Sequence, residues 1–162
     1  MNTNLSEIDR KVNSKLEMKI SEFKVELESE EYAACRFKLD RLVIISRNSK
    51  ITPKKVGQFV TFWKRNASHV TEPFDESYSF DFYVINARKD NRLGQFVFPK
   101  SILISKGIIR TEKKDGKRGF RVYPSWDVAQ NKQAIFTQKW QLEYFYEVGI
   151  ESLDFIANLY SK

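Results

Sequence analysis

The segment that runs from Gly94-Gln95-Phe96-Val97-Phe98-Pro99-Lys100 to Arg121-Val122-Tyr123-Pro124-Ser125-Trp126 alternates short apolar runs with lysine and arginine. From Lys100 to Arg121, basic residues exceed acidic ones by six. Apolar residues such as Ile102, Ile108 and Phe120 are numerous enough to fold this segment into a core, so its charges are expected on a structured scaffold. The segment therefore predicts a cationic surface that also bears aromatic side chains.

The net charge of +7 is distributed unevenly over the 162 residues. Residues 41–126 carry a charge of +11, whereas residues 1–31 and 127–162 carry −3 and −2. A concentrated positive field attracts polyanions and phosphate groups. Nucleic acid or a nucleotide is therefore the expected partner.

Composition indicates a single domain over residues 1–162, because a chain of this length with 41% hydrophobic residues can bury one core. The longest apolar runs fall short of a membrane span, and the first residues do not have the pattern of a secretory signal. A cytoplasmic location without membrane contact is expected. Cys35 and His69 are each the only residue of their type, which disfavours a disulfide or zinc framework, and no cofactor is expected.

Hydrophobic periodicity predicts the helices. Apolar residues from Leu5 to Leu27 recur every three or four positions and predict an amphipathic helix over residues 4–28, within an N-terminal unit 1–30. A short helix is predicted for residues 100–106. A long helix is predicted for residues 131–148, with Ile135, Phe136 and Trp140 in a stripe that faces the core, and a final helix lies within residues 150–160.

Strands are predicted where β-branched and aromatic residues lie between turn residues. The first two form a hairpin, and the last two pair around Asp115-Gly116; the predicted strands are residues 32–39, 42–46, 58–65, 80–87, 108–111 and 119–123. The order of these elements indicates an α/β fold with α+β-like order, in which a central mixed sheet is flanked by helices.

Two strand starts resemble each other: Val56-Gly57-Gln58-Phe59-Val60 and Leu93-Gly94-Gln95-Phe96-Val97. Glycine permits close approach of another backbone. Glutamine can pair with a polar group, either on a ligand base or on a neighbouring strand.

Phosphate and base recognition require cationic groups and exposed aromatic rings. The loop of residues 47–57 is rich in cations, and the residues around Gly116 and Gly119 keep their backbone accessible. The candidate nucleic-acid-binding residues are Arg47, Lys50, Lys54, Lys64, Lys100, Lys117, Arg118, Arg121, Tyr123 and Trp126. Trp63 is a weaker candidate, because burial in the sheet is expected for it.

A metal-dependent nuclease is an alternative, since Asp75, Glu76 and Asp81 lie close together in the sequence and could bind Mg²⁺ or Mn²⁺. Such enzymes place a carboxylate two residues before a lysine on one face of a strand. Asn86 and Arg88 occupy that spacing here, and they supply neither the negative charge nor a group that can release a proton. This favours binding over cleavage.

Seven ordered motifs between about Ala33 and Val148 resemble the MepB family: Lys50-Ile51-Thr52-Pro53, Val56-Gly57-Gln58-Phe59-Val60, Trp63-Lys64-Arg65, Phe80-Asp81-Phe82, Gly94-Gln95-Phe96-Val97-Phe98-Pro99-Lys100, Gly116-Lys117-Arg118-Gly119 and Thr137-Gln138-Lys139-Trp140-Gln141-Leu142. That family takes its name from a bacterial protein encoded beside a multidrug efflux pump, and its members are small cytoplasmic proteins of unsettled function. The resemblance implies a restriction-endonuclease-like fold over residues 33–148.

These observations rank three hypotheses. The first is binding of nucleic acid or nucleotides through a basic face, without established catalysis. The second is a metal-dependent nuclease of the restriction-endonuclease-like group, and the third is a regulatory adaptor whose basic face binds an acidic protein. A fold alone does not decide among them.

Overall fold

A six-stranded mixed sheet organises the computed structural model, which describes all 162 residues. Its strands lie in the order β1 (Ile20–Val25), β2 (Cys35–Leu39), β3 (Leu42–Asn48), β8 (Phe82–Lys89), β9 (Arg92–Pro99) and β11 (Phe145–Glu147). β3 and β8 pair in parallel, and every other pair in this sheet is antiparallel. The predicted central mixed sheet is thereby confirmed.

Two small sheets and four helices complete the chain. β5 (Gln58–Thr61) pairs with both β10 (Gly119–Val122) and β4 (Lys50–Ile51), and β6 (Trp63–Arg65) pairs with β7 (Thr71–Pro73). The helices are α1 (Thr3–Ile8), α2 (Lys100–Ser105), α3 (Lys132–Gln141) and α4 (Leu153–Leu159). None of these helices combines the length and apolar character needed to cross a bilayer.

Apolar side chains cover both faces of the central sheet, because successive residues of a strand point to opposite faces. On one face, Phe82 and Val97 pack with residues of α1 and α4. On the other face, Tyr83 and Phe98 pack with α2 and the small sheets. Because both faces are covered, β8 and β9 are buried at every position except Arg88, Lys89 and Arg92.

The predicted helix over residues 4–28 is wrong beyond Leu16. α1 continues through a π-helical and a 3₁₀ turn to Leu16, and β1 then begins at Ile20. Glu22 has a left-handed φ of 52° at an irregularity in the β1–β2 pairing. This bulge leaves Ile20 and Phe23, three residues apart, as the half-buried positions of the strand. A bulged strand therefore imitated the spacing of a helix.

The long helix predicted over residues 131–148 is also wrong in its second half. α3 ends at Gln141, and Phe145–Glu147 form the edge strand β11 against β9. Phe145 and Tyr146 are buried aromatic residues that suit a strand. The helix predicted within residues 150–160 is confirmed as α4.

The predicted pairing of residues 108–111 with 119–123 does not occur. Gly119–Val122 pair with β5 instead, and Arg110 forms an isolated parallel bridge with Asp75. The predicted strand over residues 58–65 is divided at Phe62, whose side chain is fully buried. Phe62 thus lies between β5, which ends at Thr61, and β6, which begins at Trp63.

The two repeated strand starts have the same structural role. An added Cβ at Gly94 would lie 2.3 Å from the Phe145 ring, and one at Gly57 would lie 2.7 Å from the Tyr123 ring. The buried Gln58 donates a hydrogen bond to the Arg88 carbonyl oxygen at 3.2 Å, and Gln95 donates one to Asn86 Oδ1 at 2.8 Å. Both glutamines thus bond to β8, Gln95 from the strand paired with it and Gln58 from a small sheet.

We expect Gly94→Ala to destabilise the protein by about 1–3 kcal/mol, the usual cost of overpacking a core. Besides the ring contact, the new methyl group would lie 2.7 Å from the backbone oxygen of Tyr146, which strand pairing holds in place. Urea denaturation would measure the loss. Gly149→Ala is the comparison, because that site has φ +87° but nothing within 4 Å, so its cost is conformational. A Gly94→Ala protein as stable as the parent would contradict the docking of β11 on β9.

Candidate nucleic-acid interface

A cleft of about 670 Å³ lies between β10, α3 and the loop that carries Lys54 and Lys55. We call it the basic cleft and define it by its five cationic and four aromatic lining residues: Lys54, Lys55, Lys106, Lys117, Arg121, Phe120, Tyr123, Phe136 and Trp140. A volume of this size is typical of ligand sites.

Two glutamines of α3 hold the helix beside β10. Gln141 Nε2 donates to the Arg121 carbonyl oxygen at 2.9 Å, and Gln141 Oε1 accepts from the Tyr123 N–H at 2.9 Å. Gln138 Nε2 donates to the Asp127 carbonyl oxygen at 2.8 Å. The relative position of the two sides of the cleft is therefore set by hydrogen bonds to the backbone.

No carboxylate lines the basic cleft. None of its five cations forms a salt bridge. A concave surface lined by charges of one sign focuses the field and raises the local concentration of counterions. The cleft is thus suited to an anionic ligand.

Arg121 organises the loop on one side of the cleft. Its guanidinium donates to Thr52 Oγ1 at 2.6 Å and to the carbonyl oxygens of Val56 and Gly57, both at 3.2 Å. These bonds hold the segment that carries Lys54 and Lys55. Arg121 therefore has a positioning role in addition to its charge.

Aromatic rings line the side of the cleft formed by α3. Lys106 Nζ lies 5.1 Å from the centre of the Phe136 ring and 5.4 Å from that of Trp140. Phe136 is 63% exposed and its neighbour Ile135 is 54% exposed. The prediction that these two residues face the core is wrong, whereas Trp140 does pack against the core.

The structure brings four of the ten predicted binding residues into the basic cleft: Lys54, Lys117, Arg121 and Tyr123. Trp126 lines an adjoining groove, where its ring packs against Phe145 and under the Arg92 guanidinium. Sequence reasoning missed Lys55 and Lys106 as lining residues, although both belong to the basic middle of the chain. It also assigned the exposed ring of Phe136 to the core.

The other five candidates lie outside the cleft. Lys64 forms an ion pair with Glu72, and Lys100 Nζ donates to the Tyr78 carbonyl oxygen at 2.5 Å. Lys50 lies 4.7 Å from the ring centre of Tyr32. Arg118 is exposed and Arg47 is buried, and neither lines the cleft.

Arg47 is an internal structural residue with 2% exposure, which corrects its assignment to a phosphate-binding loop. It lies in β3, where its guanidinium donates to Ser29 Oγ, Thr61 Oγ1 and the Trp63 carbonyl oxygen at 3.2, 3.0 and 2.9 Å. Burial lowers the pKa of Arg47, because desolvation disfavours its charged form. The guanidinium therefore joins the central sheet to the small sheets.

Replacing Arg47 by lysine is expected to cost about 1–3 kcal/mol of stability, since an ammonium group cannot reproduce the planar set of donors and leaves buried acceptors unpaired. Oligonucleotide affinity of the folded protein should stay unchanged, because this residue does not reach the cleft. Chemical denaturation and a binding titration on one preparation test both statements. Lower affinity at full stability would contradict the structural assignment.

The three candidate nuclease carboxylates do not form a metal site. Asp81 Oδ2 accepts from the Val43 N–H at 2.7 Å. Asp75 accepts hydrogen bonds from the hydroxyl and backbone N–H of Ser77, which lower its pKa. Glu76 is exposed, and the structure contains no group of three or more His, Cys, Asp or Glu residues arranged to hold a metal ion.

The strand position that a nuclease would use is also occupied by structural residues. Asn86 is fully buried and donates to Asn48 Oδ1 at 3.0 Å. Arg88 forms a salt bridge with Glu7 at 2.7 Å and donates to Asn4 Oδ1 at 2.7 Å. The two bonds of Arg88 attach α1 to the central sheet.

The mixed sheet with helices on its faces defines an α+β protein, and its largest described feature beyond the core is a cleft lined by cations and free of carboxylates. The chain belongs to the MepB-like family, whose model matches residues 26–147. Among solved structures it is similar to the crystal structure of MepB, with 31% identity and a TM-score of 0.81, over 93% of this chain and 100% of that one.

A second similar structure is that of the bacterial homing endonuclease I-Ssp6803I, with 16% identity and a TM-score of 0.46, over 86% of each chain. This likeness is too weak to bear on the chemistry of the present chain. No curated protein matched the sequence.

Proposed function

We propose that this protein binds nucleic acid or nucleotides through the basic cleft. The observation that supports this function best is that five cationic side chains line one cleft from which carboxylates are absent. A cation that already forms a salt bridge with a carboxylate gains little binding free energy from a phosphate, because it must give up that partner. Here Lys54, Lys55 and Lys117 are exposed and have no salt-bridge partner.

A polyanion gains affinity from such an array because its phosphates release their condensed counterions when lysine and arginine replace them. The side chains of Lys54, Lys117 and Arg121 all reach the same cleft, so successive phosphates of one strand can meet successive cations.

The aromatic residues supply the second component of nucleic-acid affinity. Phe136 exposes 63% of its surface at the edge of the cleft, and every base offers a flat face for stacking. Stacking of a base on an aromatic side chain is worth about 1–3 kcal/mol. A protein partner could also bury this ring, because aromatic residues are enriched in protein interfaces, so the adaptor hypothesis is separated by competition and not by the ring.

A fluorescence titration with labelled DNA and RNA at two salt concentrations tests the proposal. We expect binding at low salt and weaker binding as salt rises. Absence of binding at low salt would overturn it. Capture of an acidic protein that added nucleic acid fails to compete off would favour the adaptor. Adding Mg²⁺ or Mn²⁺ to the same mixtures tests the nuclease alternative, which requires cleavage that Asp81→Ala abolishes.

A further inference from the structure

We propose that the groove next to the basic cleft reads a guanine base, with the carboxylate of Asp127 as the acceptor. This inference rests on the proposed function and adds a base preference to it. The groove has a volume of about 520 Å³, and we call it the side groove, defined by Lys89, Trp126, Asp127, Val128 and the loop of residues 53–57.

The side groove and the basic cleft form one continuous surface. Lys54, Lys55 and Gln130 line both of them. A nucleotide strand in the cleft could therefore place its next base in the groove while these two lysines neutralise the phosphate between them. Trp126 and the exposed Val128 provide apolar surface for that base.

Asp127 is the only carboxylate among the residues that line either cavity. Its backbone is held on both sides, since its N–H donates to the Pro124 carbonyl oxygen at 3.0 Å and its carbonyl oxygen accepts from Gln138 at 2.8 Å. Its carboxylate forms no salt bridge and accepts no hydrogen bond from the protein. Partial burial raises the pKa of Asp127, and Lys89 and Arg121 oppose that rise. A fixed, partly desolvated acceptor without a partner gains most from a ligand that supplies donors.

Guanine is the base whose donors match a carboxylate. Its Watson–Crick edge carries two adjacent donors, the N1–H and the exocyclic N2 amine, which can bond to the two oxygens together. Adenine and cytosine offer only an exocyclic amine on that edge, and thymine or uracil only one ring N–H. Unpaired bases are commonly read on this edge by proteins that bind single strands. A carboxylate here thus favours guanine and disfavours bases that present acceptors.

The test compares labelled thymidine oligonucleotides that carry one central guanine, inosine or adenine. Inosine lacks the N2 amine, so it removes one of the two donors and keeps the shape of the base. For the unmodified protein we expect guanine to bind about tenfold more tightly than adenine, with inosine between them, because a good bidentate contact discriminates on this scale. Asp127→Asn should abolish the preference, while Asp115→Asn, an equal loss of charge at an exposed site outside both cavities, should retain it.

The outcomes separate the two proposals. If no oligonucleotide binds, the proposed function fails. If all of them bind equally, the proposed function stands and guanine reading is overturned. An Asp127→Asn protein that binds every base more tightly by one common factor also overturns it, since Asp127 would then act only through its charge. Should that variant fail to fold, the guanine and inosine comparison on the unmodified protein still decides the question.

Discussion

Replacing Lys54, Lys55 and Lys117 together by alanine is expected to lower affinity for a single-stranded oligonucleotide about a hundredfold at 0.1 M salt. The estimate follows from counterion release, because each lost contact on a single strand removes about 0.7 from the slope of log affinity against log salt concentration. Three contacts therefore remove about 2 from that slope. All three side chains are exposed and line the basic cleft, so the fold should not change.

The matched control replaces Lys15, Lys19 and Lys24 by alanine. These lysines are exposed, lie outside the cleft and form no salt bridge. Because each variant loses three lysines, the two variants have the same net charge. Titrations at several salt concentrations should leave its slope close to that of the parent. Equal losses in the two variants would mean that binding follows overall charge, and the cleft would have no special role.

The largest effect on stability is expected for Phe62→Ala, at about 3–5 kcal/mol, the usual cost of removing a buried phenylalanine ring. Phe62 is fully buried, and its ring centre lies 4.4 Å from that of Tyr83 and 4.5 Å from that of Phe74. Its ring centre also lies 6.4 Å from that of Phe120, which lines the basic cleft. The cavity would lie where Phe62 packs between Tyr83 of the central sheet and Phe120 of a small sheet, and urea denaturation would measure the loss of stability.

Phe136→Ala is the companion change, because it removes the same ring from a site with 63% exposure. Its effect on stability should stay within about 0.5 kcal/mol. Its effect on oligonucleotide affinity should reach about 1–3 kcal/mol if a base stacks there. A variant that loses stability but keeps its affinity would show that Phe136 belongs to the core.

Sequence patterns located β8, because its run of apolar residues indicates a buried strand whatever packs on it. For β9 they indicated only a strand start at Leu93, from the likeness of residues 93–97 to residues 56–60. Short elements at the sheet edges were harder to predict. At β1 a bulge at Glu22 reproduced helical spacing, and at β11 three residues continued the apolar pattern of α3. In both places tertiary pairing overrode the local pattern.

The candidate site likewise has a part that the sequence predicts and a part that only tertiary contacts decide. The charge of +11 over residues 41–126 located the basic middle of the chain from composition alone. Within that segment, Arg47 and Lys55 look equally suitable for binding a phosphate. In the structure Arg47 is only 2% exposed, whereas Lys55 lines the basic cleft. Burial of a particular side chain depends on which strand packs over it, and the sequence pattern does not encode that locally.

By itself, the sequence determined the sign of the surface charge, the family and the central strand β8, because these depend on composition and on runs of neighbouring residues. The tertiary structure alone decided which cations converge, since the loop of residues 54–56, β10 and α3 are separate segments of the chain. It also placed Asp127 and Trp126 beside them. Convergence of separate segments is a property of packing in three dimensions, and no local pattern carries it.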